Sequence, residues 1–383
     1  MMKAMNILIV GGGMAGWTLA GHLRRRGITP TLVERVPQYR RVGFSIGLYP
    51  FSANTMRESG VFDRYREASL WAQDYAMFDA GGGELSRMSV AEVFGRAHGG
   101  MGMLHRADLL DILRAGGDGT DVRMGTTVTA LEQHDGGARA TLSTGEELDA
   151  DVVVGADGIH SDVRRMVLGD LPPDDWGVTA FTWWTPPIAE LGPNVYEFWG
   201  PATFFGLYPI EGAVCAIGAL PTPPDAQTMD QARVRDLLRR SFEGFPATAA
   251  QALSHLDDGE VHLWPMVDQR SPEWVVGRVA LVGDAAAGFP PTAGMGASNA
   301  IKSAAVLADE LGRSDADGIP LALSLWEQRM RKRVESNQDD SRKLARLMFV
   351  RHATTARARD LILRHYPVEK LADQLLANNV EAF

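Results

Sequence analysis

Three clusters of glycine and aspartate carry the spacing of a phosphate or ribose site. They are Gly11-Gly-Gly-Met-Ala-Gly16, with Glu34 further on, then Gly155-Ala-Asp157-Gly158, and then Gly283-Asp284, running on to Gly294-Met-Gly296. In a GxGxxG turn the first glycine allows the tight bend and the second lets the backbone approach a diphosphate. The third lets helix pack closely on strand, so that amides at the helix N-terminus face the anion. An acid about twenty residues beyond such a turn is placed to accept hydrogen bonds from a ribose diol.

Each cluster needs an element to deliver it. Asn6 to Val10, Val152 to Val154 and Arg278 to Val282 are short apolar, β-branched runs that read as buried strands. A helical pattern follows the first, and Thr31 to Val33 reads as the strand that ends in Glu34, which completes a βαβ unit. Ligands of open α/β sheets bind beyond the carboxyl ends of the strands, so segments far apart in the chain could converge on one elongated ligand.

The rest of the chain divides by character. Ser52 to about Ala68 and Met103 to Leu113 show helical periods, and Arg106 stands in the second. Asp74 to Asp79 and Glu84 to Ser89 flank three glycines and read as a β-hairpin. From Trp176 to Leu220 aromatic and β-branched residues broken by Pro and Gly indicate an antiparallel insertion, closed by a strand at Val261 to Met266 after helices at Gln231 to Phe242 and Ala247 to Leu256. Ala297 to Leu311 is an alanine-rich helix, and the chain from Pro320 onward is charged and mostly helical.

At 383 residues the chain exceeds the usual single-core limit. Its expected fold is α/β: a Rossmann-like cofactor domain (residues 1–73, 99–172 and 272–345) with an inserted, mainly antiparallel sheet domain for substrate (74–98 and 173–271) and a C-terminal helical segment (346–383). A formal charge of -10 with no basic cluster argues against nucleic acid. Arg24-Arg-Arg26 is read as complementing a helix C-terminus. No run approaches membrane-spanning length, the single Cys215 permits no intrachain disulfide, and the histidines form no metal-binding pattern. A cytoplasmic monomer or homodimer without a metal is expected. Gly43-Phe-Ser-Ile-Gly47 matches the GxSxG nucleophile elbow, but two arginines precede it where a strand should, so a serine hydrolase is not indicated.

Taken in order, the three clusters resemble those of the single-component FAD-dependent aromatic hydroxylases, whose fold is that of para-hydroxybenzoate hydroxylase. The matching motifs are Gly11 to Gly16 with Glu34, Gly155 to Arg164, and Gly283-Asp284 with Pro291, Gly294 and Gly296. The resemblance implies that Glu34 holds the adenosine ribose, Asp284 the ribityl chain, and that Asp157 lies near the pyrophosphate. It also implies cofactor contacts from Gly11, Gly13, Met14, Ala15, Gly16, Arg35, Arg41, Arg106, Gly283, Pro291, Gly294, Met295, Gly296 and Ala297. Relatives usually carry histidine at Ala287, glutamine at Met295, asparagine at Ser298 and an acidic pair at Lys302-Ser303.

The reaction so implied is that of an NAD(P)H-dependent monooxygenase. FAD is reduced by transiently bound NADPH or NADH, since no second GxGxxG follows a strand, and O2 adds to give a flavin C4a-hydroperoxide. An apolar, aromatic or polycyclic small molecule is then hydroxylated or epoxidised. A dry pocket is required, and Trp183, Phe198, Phe204, Phe205, Tyr208 and Pro291 are its candidate walls. Alternation puts Phe204 and Tyr208 on one sheet face and Phe205 on the other. No catalytic residue is assigned firmly; Arg41 and Tyr208 are the polar candidates. The alternatives are another FAD oxidoreductase on the same scaffold (oxidase, reductase or halogenase) or a protein that holds FAD or a drug without turnover.

Overall fold

In a computed structural model of the chain, residues 5–95, 100–226 and 228–365 are described. Six strands form the first sheet in the order Val275–Val276, Val279–Leu281, Val152–Gly155, Ile7–Val10, Thr31–Glu34, Asp121–Met124, all parallel except the Val275–Val276 edge. Ile7–Val10, Val152–Gly155 and Val279–Leu281 are buried throughout, because helices cover both faces of a parallel sheet. Val10 lies in register with Gly155, and Gly155 with Leu281. All three glycine clusters therefore leave the sheet side by side at its carboxyl edge. Helices Met14–Arg25, Arg106–Gly116 and Gly296–Gly312 pack together beside it.

A second sheet of seven strands runs in the order His262–Arg270, Asp174–Thr185, Ala213–Pro221, Phe204–Ile210, Val195–Trp199, Asp74–Asp79, Glu84–Ser89. It is antiparallel except where Val195–Trp199 lies parallel to Asp74–Asp79. One face packs on helices Gln231–Ser241 and Ala247–Ser254 around Phe181, Trp183, Phe198 and Phe205. The opposite face, with Val195, Phe204 and Ala219, shares a core cluster with Tyr49, Met103 and Met295.

The elements depart from the periodic reading in two places. The helix expected from Ser52 to Ala68 is two helices, Pro50–Ser59 and Phe62–Ala68, broken by Gly60 at φ +76°. Met103 to His105 belongs to a strand, Gly102–His105, and the helix begins only at Arg106. That run pairs antiparallel with Ser45–Leu48, and the His105 Nδ1 then caps the helix by accepting the Ala107 N–H at 3.0 Å. A short apolar run does not distinguish strand from helix until its pairing partner is known. Ser45 sits at the start of its strand, paired with His105, not on a strand-to-helix turn, which removes the nucleophile-elbow geometry. The closing strand is longer than expected, His262–Arg270. The C-terminal region forms helices Ile319–Met348 and Ala353–His365; the remainder of the helical expectation, 366–383, lies outside the described residues.

Candidate functional site

The first turn is built by exclusion. Gly11 has φ +106°, and a Cβ there would stand 2.5 Å from the Ala156 carbonyl oxygen; one at Gly16 would collide with the Gly11 carbonyl. At Gly13 the same atom would meet only Ala156 O at 4.0 Å, so the space before helix Met14–Arg25 is open. That helix has no side-chain cap, which leaves its first N–H groups facing the opening. Glu34 is buried beside the turn: Oε2 accepts the Gly12 N–H at 2.7 Å and Oε1 the Val36 N–H at 2.9 Å. Tyr39 donates to the Gly12 carbonyl at 3.0 Å and accepts from Trp17 Nε1 at 2.9 Å.

A cavity of 470 Å³ begins at Gly13, Met14 and Ala15, passes Arg106, Asp284 and the Gly294–Ala297 turn, and ends on the inner face of the second sheet. The Asp284 side chain is exposed within the cavity, although it lies deep in the protein. Burial pushes its carboxyl up to about 6, against the opposing pull of the Arg106 guanidinium. Helix Gly296–Gly312 also begins without a side-chain cap, after Gly294 in the left-handed region at φ +62°. Two uncapped helix N-termini at separate points of one cavity, with a carboxylate between them, fit an elongated anionic ligand with a polyol linker.

Several expected contacts are placed elsewhere. The Asp157 carboxylate points away from the cavity and caps helix Asp162–Leu168, accepting from Ser161 Oγ at 2.5 Å and from the Val163 N–H at 3.0 Å; only its neighbours Ala156 and Gly158 reach the cavity. Arg35 is exposed outside the lining, and Arg41 is exposed and paired with Asp108. Met295 is buried behind the turn, its carbonyl accepting from Asn299 Nδ2 at 2.9 Å. Gly11, Gly16 and Gly283 shape the backbone without lining the cavity. Ser298 accepts the Tyr49 N–H at 3.0 Å and so joins two helices.

The aromatic strands divide as alternation requires. Phe204, Tyr208 and Pro291 line the cavity. Trp183, Phe198 and Phe205 do not: they belong to the core on the opposite face, where Trp183 donates to the Ala252 carbonyl at 2.9 Å and Phe205 meets Phe242 edge-on at 4.9 Å. Sequence reasoning missed Glu197, which is only 4% exposed and reaches the cavity wall. It accepts from Tyr208 at 2.7 Å on Oε1, and from Tyr75 at 2.6 Å and Trp199 Nε1 at 3.0 Å on Oε2. Burial raises its pKa, and the three donors oppose that rise. A lone acid inside an aromatic strand was the available signal. Methionines 77, 88, 101, 103 and 266 complete an adaptable apolar wall.

A parallel sheet with three glycine turns at one edge, opening into a cavity walled by a second sheet, is a site built for an elongated dinucleotide cofactor. A family model described as an FAD binding domain matches residues 4–314. The aurachin C monooxygenase/isomerase of Stigmatella aurantiaca is 30% identical over 80% of this chain and 81% of its own length. A 3-amino-4-hydroxybenzoate 2-monooxygenase of Streptomyces platensis is 30% identical over 92% of this chain and 91% of its own. Among solved structures, Klebsiella pneumoniae HpxO, complexed with FAD and uric acid, superposes with a TM-score of 0.91, covering 99% of this chain and 97% of that one at 23% identity; this likeness concerns the fold. The chain belongs to the FAD-binding family and is an FAD-dependent monooxygenase.

Proposed function

We propose that this monooxygenase takes two electrons from NADPH or NADH and inserts one atom of O2 into a largely apolar aromatic or polycyclic small molecule, by hydroxylation or epoxidation. The observation that carries this reading is the continuity of the cavity from the Gly13 and Gly294–Ala297 turns to the apolar sheet face. Residues 1–73, 99–172 and 272–345 act as the cofactor unit, and 74–98 and 173–271 as the substrate unit.

FAD, when bound, would supply the redox chemistry by which one atom of O2 enters a carbon centre and the other leaves as water. The chain's own residues do the rest. The open N-terminus of helix Met14–Arg25 would hold the diphosphate, Glu34 keeps the turn before it in shape, and Asp284 would accept hydrogen bonds from the polyol linker. The amides of Gly296 and Ala297 favour negative charge at the edge of a ring placed against them. Phe204, Trp264, Met77 and Met266 exclude water from the substrate end.

The test is oxygen uptake and NAD(P)H oxidation by the FAD-loaded protein, with and without a trial phenol or polycycle, under 18O2. Substrate-stimulated uptake with one labelled oxygen in the product supports the assignment. Hydrogen peroxide as the sole oxygen product across the panel marks an oxidase, and absence of turnover marks a binding protein.

A further inference from the structure

We propose that Glu197 is a specificity-determining residue: by holding the hydroxyl hydrogens of Tyr75 and Tyr208 it leaves their oxygens as acceptors toward the cavity, so that the site selects a neutral substrate bearing an O–H or N–H donor and rejects a carboxylate. The inference rests on the reading above, that the sheet-side end of the cavity receives the substrate.

The geometry leaves the two tyrosines little choice. Each has one hydrogen to donate, and each lies within 2.7 Å of a carboxylate oxygen, Tyr75 at 2.6 Å and Tyr208 at 2.7 Å. Trp199 Nε1, at 3.0 Å, supplies a third donor to the same carboxylate, on the oxygen that Tyr75 also uses. A carboxylate with three donors is the arrangement in which a buried charge is tolerated. Two further hydroxyl groups of the lining are also committed, Tyr49 to the Ala293 carbonyl at 2.8 Å and Thr292 to the Ser341 carbonyl at 2.7 Å. These four lining hydroxyls therefore present oxygen lone pairs rather than hydrogens.

Charge points the same way. Among the described lining residues Arg106 is the single cation, and its field acts on Asp284 at the cofactor end. Arg359 packs over the Trp199 ring, but it is buried, donates to the carbonyls of Trp199, Gly200 and Met348, and pairs with Asp360. An anion entering beside Tyr208 would thus meet Glu197 without a compensating cation, whereas a phenol or an aromatic amine would find two oriented acceptors.

The experiment is calorimetric binding to the FAD-loaded protein of three probes of one shape: 2-naphthol, 2-methoxynaphthalene and 2-naphthoate. The naphthol is expected to bind about tenfold more tightly than the ether, and the naphthoate more weakly than the naphthol by at least about tenfold. In Glu197→Gln the charge is gone, and the new amide donates to one tyrosine oxygen, which turns that hydroxyl hydrogen toward the cavity. The naphthoate should then gain about tenfold while the naphthol loses. Tyr75→Phe and Tyr208→Phe should each erode the naphthol preference without helping the naphthoate. A merely structural role for Glu197 would weaken all three probes together.

Equal binding of naphthol and naphthoate by the unmodified protein overturns the proposal, and this arm needs no variant to fold. An unchanged ranking in a folded, flavin-bearing Glu197→Gln protein overturns it too. Because binding is read without turnover, the ranking can hold while 18O2 incorporation fails, which would sink the oxygenation reading alone.

Discussion

The Glu34 carboxylate accepts the Gly12 N–H at 2.7 Å, so the acid that closes the second strand of the βαβ unit also fixes the turn that follows the first. Its other oxygen, on the Val36 N–H at 2.9 Å, holds the chain leaving that strand. Glu34→Ala removes two charge-assisted bonds inside the protein and is expected to cost about 2 kcal/mol of stability. FAD affinity should fall by at least about tenfold. Thermal unfolding and flavin titration of the variant check both; unchanged flavin affinity would remove Glu34 from the cofactor site.

Gly16 and Gly13 separate fold from function. Gly16→Ala sets a methyl against the Gly11 carbonyl, so helix and strand must part, at a cost of about 3 kcal/mol. Gly13→Ala meets no protein atom nearer than 4.0 Å and should fold with nearly unchanged stability, yet its methyl enters the space reserved for the diphosphate. Measured side by side, the first variant should lose thermal stability and the second should lose FAD.

Asp284 produces a pH dependence of unusual sign. The folded carboxyl titrates at about 6, because burial opposes its ionisation, whereas in the unfolded chain it titrates near ~4. Between those values the folded state holds a proton that the unfolded state has released, so stability falls as pH rises through this window. The contribution is fully present below about 4 and lost above about 6. Cofactor-free Asp284→Asn should therefore lose less thermal stability than the parent between pH 4 and pH 7; identical pH slopes would refute this.

Phe204 and Phe205 are adjacent and should respond differently. Phe205 is fully buried in the core under helix Gln231–Ser241, and Phe205→Ala is expected to cost about 4 kcal/mol. Phe204 lines the cavity, and Phe204→Ala should mainly change the affinity and product pattern for bulky aromatic ligands. Chemical denaturation and product analysis of the pair provide the comparison.

Cys215 is fully buried, and burial pushes its thiol up to about 12. The thiolate is the reactive form, so the native protein should resist aromatic disulfide reagents at pH 8 and react fully once denatured. Rapid labelling of the native protein would contradict the packing of that strand.

The sequence by itself determined the three strand-and-glycine units, because a buried parallel strand must be continuously apolar and a turn that approaches a phosphate must lack side chains. It also determined that Phe204 and Phe205 point to opposite faces, since strand geometry has a period of two. It did not determine which face is the cavity: both faces are apolar, and only the packing of helices Gln231–Ser241 and Ala247–Ser254 assigned Trp183, Phe198 and Phe205 to the core. Asp157 stood in the right motif, yet its carboxylate turned inward to cap a helix, a decision made by local hydrogen bonding with Ser161 and Val163. Glu197 became part of the site only when Tyr75, 122 residues away, was brought beside it by the parallel pairing of Val195–Trp199 with Asp74–Asp79. Local pattern sets which backbone can turn and which side chains share a face; the partners of a buried charge are contributed by distant segments, and the tertiary fold alone selects them.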